Sequence, residues 1–153
     1  METEGAGAEP PEASGGLDVY LEHESLSLRE ADVRALADRI AAGENVRWHE
    51  VGIILGDHAL VHDLNREWLG HDWETDVVSF PLDEEARARG VIEGEVYVDL
   101  DTAREVAPEV DATFEHEALR YVAHGLLHLV GYDDATDEER AVMRGLEDRY
   151  LAG

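Results

Sequence analysis

The chain contains no cysteine. Disulfides, thiolate nucleophiles and cysteine-held zinc are therefore excluded, and any metal must sit on histidine or carboxylate. Lysine is missing too. All 12 basic residues are arginine, against 37 acids, and the formal charge is −25. Such a surface repels polyanions at low salt. In about 1 M salt the Debye length is only about 3 Å, so most of that repulsion is screened. The composition is similar to that of proteins from salt-accumulating cells, and its acidity argues only weakly against a nucleic-acid substrate. No apolar run reaches the roughly 20 residues of a membrane span. The opening residues, Met1-Glu2-Thr3-Glu4-Gly5-Ala6, have neither the basic nor the apolar region of a secretory signal. These absences lead to the expectation of a cytoplasmic protein with no membrane partner.

What is present fits one domain. The chain has 153 residues, and a domain of about this size buries roughly 68–70% of its unfolded surface. Residues 1–16 are mostly Gly, Ala, Glu, Pro and Ser, an acidic tail expected to be disordered. Residues 17–153 carry the periodic patterns. Leu17 to Glu22 alternates like a half-buried strand. Ser27-Leu28-Arg29-Glu30 has the form of a capping box opening a helix that Gly43 ends. Val46 to Leu55 reads as a second strand, and Asp57 as the cap of a second helix. Thr75 to Phe80 reads as a strand stopped by Pro81, Asp83 to Gly90 as a charged loop, and Gly94 to Leu100 as a fourth strand. A short helix is expected over Asp101 to Val106. The most apolar helix runs from Thr113 to Val130. Thr136-Asp137-Glu138-Glu139 is a second capping box, opening the last helix. The pattern predicts an α/β (α+β) fold: one mixed four-stranded sheet with about five helices, and a metal site on one helix and the turn after it.

That site is the densest chemistry in the sequence. It lies in His124-Gly125-Leu126-Leu127-His128-Leu129-Val130-Gly131-Tyr132-Asp133-Asp134. Imidazoles at i and i+4 share one helix face, about 5–6 Å apart at Cβ. Gly131 lets the chain reverse, so a carboxylate just beyond can complete the set. The ligands predicted are His124, His128 and Asp134. Asp133 competes for the third place, since neighbouring residues point apart. Zinc, one ion, is the expected cofactor, because it takes histidine nitrogen and carboxylate oxygen in a tetrahedron. Zinc peptidases carry a general-base Glu after the first histidine; here that position is Gly125. His58 and His62 are also four apart, but no carboxylate-bearing turn follows. They are read as surface or core.

The motif resembles that of the YbeY family of metal-dependent endoribonucleases and rRNA maturation factors, whose pattern is His-Gly-x-Leu-His-Leu-x-Gly-Tyr-Asp-His. The match runs from His124 through Asp133; Asp134 stands where the family has a third histidine. Leu64-Asn65 followed by Thr75-Asp76-Val77-Val78-Ser79-Phe80-Pro81 is similar to a second family block. Gly94 to Val98 and Glu139 to Met143 with Glu147 extend the likeness, which covers about residues 46–150. The family places an arginine shortly after the Leu-Asn pair; the matching position here is Leu69.

The resemblance implies a zinc-dependent, single-strand-specific endoribonuclease acting in rRNA maturation and ribosome quality control. Its partners would be RNA (rRNA in the 30S or 70S ribosome), with ribosomal proteins or assembly GTPases as further candidates. It implies that Asn65, Thr75 and Ser79 line a cleft for substrate, with Asp76 as a proton acceptor. Thr75-Asp76 equally fits a turn satisfying its own backbone. His71 stands in as the replacement cation or hydrogen-bond donor for the family arginine, or as a plain surface residue. Arg120, one turn before His124, is a candidate for phosphate and first a candidate for a structural ion pair. The alternative to a nuclease is a ribosome-assembly binding factor with a structural zinc.

Overall fold

The structure, a computed structural model, describes residues 16–69 and 76–153. The expected tail up to residue 15 and the expected site residues His71 and Thr75 lie outside them. Four strands form one sheet: β1 (Leu17–Glu22), β2 (Arg47–Gly56), β3 (Val77–Pro81) and β4 (Val91–Asp99). Their spatial order is β1-β2-β4-β3. β1 runs parallel to β2, and β2 parallel to β4, with Val51 opposite both Leu17 and Gly94. β3 closes the sheet antiparallel to β4, with Ser79 opposite Val96. Among the described residues six α-helices accompany it: α1 (Glu30–Glu44), α2 (His58–Leu69), α3 (Glu84–Ala88), α4 (Leu100–Val106), α5 (Phe114–Val130) and α6 (Asp137–Leu151). A 3₁₀ turn, Ala107–Val110, follows α4.

Alternation on the strands places Val51, Ile53 and Leu55 of β2 with Ile92, Val96 and Val98 of β4 in one buried layer. Helix α5 lies on β3 and β4, and α1 and α6 pack against α5. The buried stripe of α1, Val33, Leu36, Ala37 and Ile40, completes this core. Trp48 is buried and still satisfied, since its indole N–H donates to the Ala37 carbonyl at 3.0 Å.

Several ends differ from the sequence reading. The Ser27 capping box does not form. Helix α1 starts after an extended Arg29 that makes no side-chain cap, and it ends at Asn45 in the left-handed region. Gly43 does not terminate it: a Cβ there would meet the Tyr150 side chain at 2.2 Å, so this glycine marks a close approach to α6. The charged stretch after Asp83 is not simply a loop. The Asp83 carboxylate accepts from the Ala86 N–H at 3.0 Å and starts the short α3. By contrast, the Thr136 box forms in full, with Glu139 returning to the Thr136 N–H at 3.0 Å.

Candidate metal centre

Helix α5 starts at Thr113, whose hydroxyl accepts from the His116 N–H at 3.0 Å. It ends at Gly131, with φ of 129°, a conformation that favours glycine. The Gly131 and Tyr132 N–H groups both donate back to the Leu127 carbonyl. The chain is thereby turned so that Asp134 faces the last turn of the helix. The Asp134 Oδ2 lies 3.1 Å from the His124 Nε2 and 3.4 Å from the His128 Nε2. The two Nε2 atoms are 3.1 Å apart. A tetrahedral ion with bonds of about 2.0–2.1 Å spaces neighbouring ligand atoms by roughly 3.3–3.4 Å. The donor triangle therefore has the size that such an ion requires, and its donors are the imidazole and carboxylate atoms that zinc takes. Asp133 lines the same cleft, but the converging carboxylate is Asp134.

A carboxylate on the next helix orients the first histidine. Glu147 of α6, buried, lies 2.7 Å from the His124 Nδ1. With the Nδ1 proton directed at Glu147, the Nε2 lone pair of the neutral ring is left facing the triangle. Arg120 donates to the other Glu147 oxygen at 2.9 Å and to Asp148 at 2.8 Å. Burial pulls the His124 imidazole down. The hydrogen bond to Glu147, with the negative charges of Glu147, Asp134 and Asp76, more than reverses this and raises its proton affinity.

The cleft around the triangle has a volume of about 680 Å³. Asn65, Asp76 and Ser79 line it. Asn65, on α2, is almost wholly buried. Ser79 donates to the Gly125 carbonyl at 3.1 Å, tying β3 to the metal helix. The Asp76 carbonyl accepts from the Asp99 N–H at 3.0 Å, which holds the entry to β3. Burial pushes the Asp76 carboxyl above the usual carboxylate range; the charge of His124 and a backbone hydrogen bond oppose this, and Glu117 and Glu147 reinforce it. Arg120 is not in the cleft: its guanidinium is committed to Glu147 and Asp148. Gly125 has a packing reason. A Cβ there would lie 2.4 Å from Val96 and 3.1 Å from Val77, so the peptidase glutamate has no room.

Outside the cleft, His58 is drawn to the fully buried Asp99, with Nδ1 and Oδ2 2.6 Å apart. It lines a neighbouring hollow of about 880 Å³ that also contains Asp76 and Tyr121. Sequence spacing missed this pairing, as it missed Glu147, because the partners are distant along the chain.

A mixed sheet backed by a helix that, with the turn after it, presents a His-His-Asp donor triangle defines a single-domain α+β protein able to hold one metal ion. A family model described as Endoribonuclease YbeY matches residues 19–153. The chain belongs to the YbeY family. It is 46% identical over 147 residues to a protein of Salinibacter ruber named Endoribonuclease YbeY, covering 93% of this chain and 94% of that one. A Chlorobium phaeovibrioides protein of the same name is 41% identical over 125 residues, 82% of each chain. Among solved structures, a Thermotoga maritima protein determined in solution is similar, with a TM-score of 0.55 and 30% identity. That match covers 87% of this chain and 86% of the other. No helix among the described residues is long and apolar enough to cross a membrane.

Proposed function

We propose that the protein is a zinc-dependent, single-strand-specific endoribonuclease of rRNA maturation and ribosome quality control, working in the cytoplasm. The observation that carries this reading is the donor triangle, with edges of 3.1 to 3.4 Å, at the floor of an open cleft. Family membership supplies RNA as the substrate. When bound, the ion supplies Lewis-acid polarisation of a phosphoryl oxygen and acidifies water at the site.

The protein's own residues do the rest. Glu147 and Arg120 keep the His124 ring in one tautomer and one orientation. Asp76, with its raised carboxyl, is suited to accept a proton near neutral pH better than an ordinary aspartate. Ser79 spends its hydroxyl hydrogen on Gly125, so its oxygen is left to accept from a ribose hydroxyl. Asn65 brings an amide to the wall of the cleft.

The test uses metal-replete protein and single-stranded rRNA fragments in molar potassium chloride. Cleavage is expected, with loss on chelation and recovery on adding zinc. Intact fragments would overturn the nuclease reading. Binding to small-subunit particles without turnover would favour an assembly factor instead, a reading prompted by Leu69 at the family's arginine position.

A further inference from the structure

Arg87 carries no motif, and the resemblance assigns it nothing. It sits on α3, a helix anchored by the Asp83 cap and the buried Ala86. From there its side chain reaches the cleft that holds His124, His128 and Asp134. A Cβ on Gly131 would come within 3.7 Å of an Arg87 guanidinium nitrogen. The guanidinium therefore lies beside the turn that presents the third donor.

Only some of the arginines are paired with acids. Arg34, Arg66, Arg120 and Arg140 each hold a carboxylate. Among the described residues, Arg87 has no carboxylate within 4.0 Å and no hydrogen-bond acceptor for its side chain. Among the described residues Arg39, Arg47, Arg89, Arg104, Arg144 and Arg149 also lack ion pairs, but none of them lines this cleft. The cleft is otherwise rimmed by carboxylates, namely Asp76, Glu84, Asp133 and Asp134. A phosphodiester entering it meets repulsion unless a cation intervenes. A guanidinium keeps its charge at any working pH and offers a planar fork to two phosphate oxygens.

We propose that Arg87 binds a phosphate of the RNA strand in the metal cleft, supplying the cation that the family places at the position of Leu69. The inference rests on the RNA-cleaving reading above. It concerns how substrate is held, and it is tested by binding as well as by turnover.

The experiment measures the affinity of metal-loaded full-length protein for a fluorescent single-stranded RNA across a potassium chloride series. Metal content and thermal midpoint are followed alongside. Replacing Arg87 by glutamine (Arg87→Gln) should weaken binding about tenfold and reduce the slope of log K against log salt by about 0.7, the value for one phosphate contact on a single strand. Metal content and midpoint should stay unchanged. Arg87→Lys should restore the slope and only part of the affinity, since it keeps the charge without the fork. If wild type binds RNA and Arg87→Gln binds it with the same affinity and slope, the phosphate contact is refuted and the nuclease reading is untouched. Loss of metal in Arg87→Gln would refute it as well, by showing that Arg87 buttresses the turn. Wild-type protein that binds RNA with the Arg87-dependent slope but never cuts it would support the contact and sink the nuclease reading. No binding by wild type would end both.

Discussion

His124 is gripped from two sides. One nitrogen faces the donor triangle, and the other lies 2.7 Å from Glu147. Glu147 is in turn held by Arg120. Outer partners of this kind fix ring orientation and tune ligand basicity. Glu147→Gln keeps the shape and removes the charge. It should lower metal affinity by about 10–100-fold with the fold retained, as read by competition against a chromophoric chelator. Unchanged affinity would show that the Glu147 contact is mere packing. The triangle itself was legible in the sequence, since a helical i, i+4 pair followed by glycine and two aspartates is a local pattern. Glu147 was not, because 23 residues and a helix boundary separate it from His124. Arg120 was visible as a cation near His124, yet only the fold shows that acids on α6 engage it.

Helix α5 has two duties, core and site, and Gly125 shows how they meet. Its bare Cα lets the helix approach Val96 and Val77 closely enough for Ser79 to reach the Gly125 carbonyl. Gly125→Ala would gain about 1 kcal/mol of helix propensity. Against that, a methyl group 2.4 Å from a fully buried valine forces repacking, which costs about 1–3 kcal/mol or more. The clash should win, lowering the thermal midpoint by several degrees at roughly 2–4 °C per kcal/mol. Gly145→Ala on α6 is the matched control. Nothing lies within 4 Å of its Cβ position, so the same substitution should stabilise by about 1 kcal/mol. Equal shifts at both sites, measured by calorimetry, would refute the packing account. Element identities were largely readable because strand alternation and helical stripes are local. Caps were less so. Thr136 and Ser27 open identical-looking boxes, and only the first closes, because α1 begins at Glu30 with Arg29, not Ser27, at its cap position. Strand order was unreadable: the pairing of β4 between β2 and β3 joins segments that no short-range pattern links.

At the scale of the whole molecule, charge dominates. A net charge of −25 on 153 residues repels itself in the compact state. Raising potassium chloride from about 0.1 M to about 1 M shortens the Debye length from about 10 Å to about 3 Å. The thermal midpoint of the metal-loaded protein should therefore rise across that range. A midpoint that is flat or falling with salt would refute adaptation to a saline cell interior. A second long-range device is Glu44 at the end of α1, whose carboxylate accepts hydrogen bonds from Tyr132 in the metal turn and Tyr150 in α6. One acid thus braces three segments that meet behind the site. The placement of Glu147 on α6 also has a consequence for how the molecule is born. Translation delivers α5 first, so a nascent chain displays both imidazoles before the carboxylate that orients His124 exists. On the proposed reading, a half-made copy grips the ion more weakly than the finished protein, and full affinity arrives only when the later helix emerges and docks.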